Sequence, residues 1–246
     1  MLLLAIAALA FAQPSFGAAD GGYRPAYSTR FADGVGAELW PQAPRFESIG
    51  TAPAPDGKGR CLRIELRRDD DYSRVANGVP RAELSLARVF RFRRGREYKI
   101  EWSVFLPADY KFDGSQPEGL SQIHPGPNKS MPSFGLSLNG PRWRVELGAG
   151  AAGGDAGPAD RDRGRWVRWA LVYVPDASGA GKTLLFKDGV LVFDGVGQPN
   201  AIPDDDASYF KLGLYKWWWK TKPSEVTERL LYFGDVTIGE KEASGL

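Results

Sequence analysis

One cysteine and one histidine in 246 residues set the first limits. A lone Cys61 cannot close a disulfide within the chain and excludes a cysteine-rich zinc centre. A lone His124 excludes the multi-histidine sites of zinc hydrolases. An excess of one charge is also missing. With 32 Lys and Arg against 30 Asp and Glu the formal charge is +2, too little for a broad basic footprint on nucleic acid. Long apolar runs are absent after the start of the chain. Residues 2–12 (LLLAIAALAFA) form an uncharged run too short for a comfortable membrane span. Ala10 and Ala12 fit an A-x-A cleavage pattern, so a secretory signal peptide is predicted within residues 1–19, although no Lys or Arg precedes the run. The expected location is secreted or periplasmic, with no membrane attachment once the leader is removed. Residues 20–246 are expected to form one domain, acting as a monomer.

The last absence is helical periodicity. What replaces it is alternation with a period of two, punctuated by 30 Gly and 18 Pro. A hydrophobic content of 43% with 25% charged residues is enough to build a packed core. Strands are predicted at 61–66, 81–87, 98–106, 122–124, 133–139, 142–147, 166–174, 183–187, 190–193, 209–217 and 230–238. Asn139-Gly140 and Asp188-Gly189 are predicted to turn two hairpins, because both dipeptides accept a positive φ. Many short strands at near-regular spacing predict an all-β fold, a β-sandwich or jelly roll of two antiparallel sheets. The stretch 148–163 (GAGAAGGDAGPADRDR) is low in complexity and is predicted to be a mobile loop. Asp204–Asp206 reads as a solvated acidic loop rather than a calcium site, and Cys61 as a buried small hydrophobe.

Alternation also assigns faces. Ala82, Leu84 and Leu86 oppose Arg81, Glu83 and Ser85. Trp143, Val145 and Leu147 oppose Arg142, Arg144 and Glu146. Phe210, Leu212 and Leu214 oppose Tyr209, Lys211, Gly213, Tyr215 and Trp217. One face of each strand is apolar, and the other mixes cations, amides and aromatic rings. Such a surface suits a groove for an acidic sugar polymer. Three segments stand out on it: Arg81-Ala-Glu83-Leu-Ser85, Gln122-Ile-His124 and Tyr209-Phe-Lys211-Leu-Gly213-Leu-Tyr215. Together they offer a guanidinium, a carboxamide, an imidazole, an ammonium and two phenols.

That set fits β-elimination of a polyuronate. The proton on C5 of a uronate is weakly acidic while the neighbouring carboxylate is charged, so that carboxylate must first be neutralised, which Arg and Gln donors can do. A near-neutral imidazole or an ionised tyrosine then takes the proton, and a tyrosine hydroxyl protonates the leaving O4. The reaction needs no metal and no organic cofactor.

In their order and residue types the three segments resemble the motifs of jelly-roll polysaccharide lyases, above all the family 7 alginate lyases and the related glucuronan lyase and heparin lyase I-like group. Those motifs read approximately R-(S/T)-E-L-R, Q-(I/V)-H and Y-F-K-x-G-x-Y, and the similarity spans roughly residues 60–239. The resemblance implies a concanavalin A-like jelly roll with a substrate groove. It implies that Arg81 and Gln122 neutralise the uronate carboxylate, that His124 is the base or polarises the site, and that Tyr215 is the acid or serves as both. Lys211 would contact the substrate. Glu83, counted with the substrate-binding residues, is read from its place two residues from Arg81 as orienting that side chain rather than doing chemistry. Tyr209, Arg142, Arg144 and Trp217 complete the expected binding surface. Ser85 replaces the final Arg of the first motif, and Lys216 with the Trp217–Trp219 run follows Tyr215 where alginate lyases often carry Asn and Gln. The polymer is therefore left open between alginate, polymannuronate and glucuronan. A non-catalytic module binding acidic polysaccharide is the alternative; it would need no acid–base pair. A jelly-roll glycoside hydrolase would need two flanking carboxylates at a spacing that this chain lacks.

Overall fold

The computed structural model describes residues 21–126, 131–148 and 152–242. The apolar leader predicted over residues 2–12 lies outside the described residues. In chain order the strands are β1 (Tyr23–Ser28), β2 (Trp40–Gln42), β3 (Ile49–Pro53), β4 (Arg60–Arg67), β5 (Arg81–Ser85), β6 (Tyr98–Phe105), β7 (Glu118–His124) and β8 (Phe134–Asn139). They continue with β9 (Arg142–Leu147), β10 (Gly154–Pro158), β11 (Trp166–Val174), β12 (Lys182–Lys187), β13 (Val190–Asp194), β14 (Tyr209–Tyr215), β15 (Glu228–Phe233) and β16 (Thr237–Lys241). One antiparallel sheet runs β13-β12-β11-β6-β15-β4-β3, with β16 joining β6 to β1. The other runs β10-β9-β8-β7-β14-β5-β2.

The apolar phases predicted for the strands meet between these sheets. Leu62, Ile64 and Leu66 of β4, Ile100 and Val104 of β6, and Val167 and Leu171 of β11 are buried on one side. Ala82, Leu84, Leu136, Val145, Leu212 and Leu214 are buried on the other. Aromatic pairs bridge the two layers: Trp143 meets Trp169 edge-on at 5.0 Å between ring centroids, and Trp102 meets Phe210 at 5.2 Å. Large rings in such contact dominate core energetics, and truncating one to alanine typically costs about 3–5 kcal/mol. This is an all-β jelly-roll sandwich of two antiparallel sheets.

Several local expectations shift. Asn139 belongs to β8, paired with Arg142, so the tight turn is Gly140-Pro141 with the positive φ of 54° at Gly140. Asp188 and Gly189 both take positive φ, as predicted for a two-residue hairpin. The Gly/Ala-rich stretch expected to be a mobile loop instead supplies β10, which pairs with β9 from Gly154 to Pro158. Asp205 is not solvated: it is buried and accepts the backbone N–H groups of Gly126 and Ala207. Asp204 and Asp206 pair with Arg94. Cys61 is buried, as expected, and burial raises its thiol to a pKa of about 11.

Candidate active site

The three polar segments fall on three adjacent strands. β14 lies between β5 and β7, with Lys211 opposite Ser85 and Gln122, Tyr215 opposite Arg81, and Tyr209 opposite His124. Residues directly across an antiparallel ladder point to the same face. The phase that sends Phe210, Leu212 and Leu214 into the core therefore places Arg81, Glu83, Lys211, Gln122, His124, Tyr209 and Tyr215 on the outer face together.

Glu83 is the hub. Its side chain is 3% exposed. Oε2 accepts from Lys211 Nζ at 2.6 Å and from Arg81 Nη1 at 3.4 Å, and Oε1 accepts from Gln122 Nε2. Glu83 thus bonds Arg81, Gln122 and Lys211 together. Lys211 was expected to contact substrate directly; instead it is 1% exposed and its ammonium lies beneath the surface on Glu83. Burial, reinforced by Arg81 and opposed by Glu83, lowers its pKa. Two cations face one carboxylate in this cluster, leaving one positive charge uncompensated. Gln122 has one amide hydrogen on Glu83 and keeps a second, and Arg81 retains N–H donors beyond those on Val79 and Glu83.

A backbone irregularity aims Tyr215. The β14–β7 register shifts between Leu212 and Tyr215. Gly213 sits within the shift at φ 138°, and a Cβ there would collide with the Ala82 carbonyl oxygen. Bulges of this kind re-aim the side chain that follows. The Arg81 guanidinium lies 4.2 Å from the Tyr215 ring centroid. Burial raises the Tyr215 pKa, and the Arg81 charge only partly opposes it, so the phenol keeps its proton near neutral pH.

His124 is set up oppositely. Burial lowers its pKa below the ordinary 6.5; Lys211 and Arg81 push the same way, against the Pro125 carbonyl and Glu83. Nδ1 lies 2.7 Å from the Pro125 carbonyl oxygen. A carbonyl can only accept, so Nδ1 carries the proton and Nε2 holds the free lone pair. The Tyr209 ring lies 5.4 Å from the imidazole. Arg81 and Glu83 influence the titration of both His124 and Tyr215, which ties imidazole and phenol to one charge cluster.

A groove of about 270 Å³ crosses the strands here, bordered by Glu83, Gln122, Gly135, Ser137, Glu146, Tyr215 and Trp217. Trp217 was assigned to the polar phase of a longer strand; β14 ends at Tyr215, and Trp217 reaches the groove from the following turn, with Trp218 exposed and Trp219 buried. Arg142 and Arg144 are exposed on the outer face of β9, where Arg142 is paired with Asp155. Ser137 and Glu146 were not singled out from the sequence, and Ser137 donates to Glu146 at 2.8 Å. Their outward phase was the available signal.

Behind Tyr215 lies a second buried charge cluster. Glu118 accepts from Arg229 at 2.6 and 2.8 Å and from the Tyr110 hydroxyl at 2.5 Å. Lys216 bridges Asp113 at 2.9 Å and Glu118 at 3.4 Å, and its backbone N–H bonds to the Pro80 carbonyl beside Arg81.

A jelly roll with a strand-crossing groove floored by cations, amides and phenols defines a class of carbohydrate-active proteins. The family model described as "Polysaccharide lyase" matches residues 40–237, and the chain belongs to that family of enzymes. Among solved structures it is similar to the endo-β-1,4-glucuronan lyase from the fungus Trichoderma reesei, with 18% identity, a TM-score of 0.63, and 78% of this chain and 86% of that chain covered. It is similar to a family 7 alginate lyase solved with substrate, at 10% identity and a TM-score of 0.61, covering 85% and 95%. A marine PL7 alginate lyase from Zobellia galactanivorans matches at 17% identity and a TM-score of 0.56, covering 80% and 82%. No curated protein matches the chain.

Proposed function

We propose that this polysaccharide lyase cleaves a 1,4-linked polyuronate, of glucuronan or alginate type, by β-elimination. The observation that carries this reading is the uncompensated buried charge: among the described residues, Arg81 and Lys211 have Glu83 as their one carboxylate partner. Near a low-dielectric surface such a surplus favours an anion, and a uronate carboxylate docked on the remaining N–H groups of Arg81 and Gln122 supplies it. With that carboxylate neutralised, His124 Nε2 removes the C5 proton. The electron pair forms the C4–C5 double bond as the C4–O4 bond breaks, and the Tyr215 hydroxyl delivers its proton to O4. The protein supplies a neutral base and a protonated acid near neutral pH, the states that the burial of both groups favours. The apolar leader supports export, where such polymers are met.

The test is the ultraviolet absorbance of the unsaturated uronate product on alginate, polymannuronate, polyguluronate and glucuronan. His124→Ala and Tyr215→Phe each lower kcat by about 100-fold or more with the fold intact. Tyr209 lies nearer His124 along the ladder and is the competing proton donor. If Tyr209→Phe is inactive while Tyr215→Phe is active, the acid is reassigned. Absence of product from every polymer overturns the reading.

A further inference from the structure

The groove is flanked unequally. Towards β9 it meets Gly135, Ser137 and the carboxylate of Glu146. Away from β9, beyond the residues that border the groove, aromatic rings on β14 and β2 lie beneath arginines. Arg91 lies 4.8 Å over Tyr209, and Arg88 lies 5.7 Å over Trp40. Trp40 pairs with Ser85 across the β2–β5 ladder, so it shares the face of Ser85, Lys211 and Gln122 and extends that row to the sheet edge. Its ring is 42% exposed, a large apolar surface left open beside a cluster that needs an anion. Among the described residues no carboxylate pairs with Arg88, although the nearby Arg94 is paired with Asp204 and Asp206.

We propose that Trp40 and Arg88 form a distal subsite for a uronate residue of the polymer, three strands from Gln122 on the β2 side. The proposal rests on the polyuronate lyase reading above. An indole face stacks on the apolar face of a sugar ring, and a guanidinium beside it takes the ring's carboxylate; this pairing selects an acidic sugar over a neutral one. Strands lie about 4.8 Å apart, so the subsite sits about 14 Å from Gln122. That distance is a few residues along a 1,4-linked chain, close enough for one substrate to reach both. The polymer therefore crosses β7, β14 and β5 and leaves over the β2 edge, passing Tyr209 and Arg91 on the way.

The experiment compares kcat/KM on a long polyuronate with kcat/KM on the shortest oligomer the enzyme cleaves. Trp40→Ala lowers the long-chain value about tenfold, as expected for loss of one stacking and cation contact, and leaves the short-oligomer value within about twofold. Arg88→Gln gives a smaller long-chain loss and flattens its salt dependence, and Arg88→Lys restores part of it. Equal losses on both substrates, or no loss on either, overturn the subsite. Product from wild type with unchanged Trp40→Ala kinetics defeats the subsite and leaves the lyase reading intact. If wild type forms no product, retardation in gels containing the polyuronate decides instead: weaker retardation of Trp40→Ala than of wild type supports the subsite, and equal retardation overturns it.

Discussion

Two buried charge clusters lie along β14 and just past its end, and they are balanced differently. Beneath the groove, Arg81 and Lys211 face Glu83, two positive charges against one negative. Behind Tyr215, Lys216 and Arg229 face Asp113 and Glu118, two against two. Both are removed from water, so both carry a desolvation penalty that only good partners offset. The second is closed: Lys216 is 0% exposed, and Glu118 takes bonds from Arg229, Tyr110 and Lys216. The first opens on a groove and lacks one anion. A balanced cluster is complete without a ligand and serves the fold; an unbalanced one leaves room for an anion, which the proposed uronate would supply.

Deleting one arginine from each cluster is the sharpest way to break the comparison. Arg229→Ala leaves Glu118 and Asp113 facing Lys216 alone, an uncompensated buried negative charge, and is expected to cost about 3–5 kcal/mol in chemical denaturation. Arg81→Ala leaves Lys211 and Glu83 as a neutral pair, so stability should change by only about 1 kcal/mol. Its kcat/KM should nonetheless fall by about 100- to 1,000-fold, because the donor to the developing charge is gone. Matching stability losses in the two variants would erase the distinction.

Acid separates the clusters next. The His124 pKa lies below its ordinary 6.5, so its neutral form is favoured by folding. Its contribution to stability is present above 6.5 and is lost as pH falls from there through the folded value. With His124 as the proposed base, activity is expected to fall when the folded imidazole protonates, below the ordinary histidine range. Burial pushes Asp113 upward, but bonds from Lys216 and Ser224 outweigh it and hold the pKa at about 2. Its contribution is present above the ordinary 3.8 and is lost only as pH falls towards about 2. A pH window should therefore exist in which activity is lost reversibly while near-ultraviolet circular dichroism stays native. Coincident loss of both signals would show that the clusters are not independent.

The smallest effect belongs to a pair outside both. Arg142 and Asp155 are exposed, and a pair screened by solvent contributes little to stability. Arg142→Ala should leave the denaturation midpoint nearly unchanged, and a large loss of activity would extend the functional cluster to β9.

Much of this was legible in the chain. The period-two phase of Arg81–Ser85 and Tyr209–Tyr215 placed their polar side chains on one face, and the core phases were equally plain. What the phase does not encode is which strands lie side by side, so the Glu83 hub, assembled from β5, β7 and β14, emerges only with the ladder. The burial of Lys211 ran against the usual exposure of lysine. Asp113, Glu118, Lys216 and Arg229 share no local pattern, which hid the second cluster. Trp40 lies in a strand of three residues, too short to show alternation. Gly and Ala in β10 imitate a loop because that edge strand has little to bury.

β14 also fixes how the chain can change over time. It carries Lys211 towards one charge cluster, Phe210, Leu212 and Leu214 into the core, and Lys216 into the other cluster just past its end. Apart from the irregularity at Gly213, side chains alternate, so losing or gaining a single residue elsewhere in this strand would swap its two faces at once. Substitutions here can be absorbed one at a time, whereas a one-codon insertion or deletion would dismantle groove and core together. Length variation among descendants of this chain should therefore collect in its connecting loops and leave β14 uniform in length.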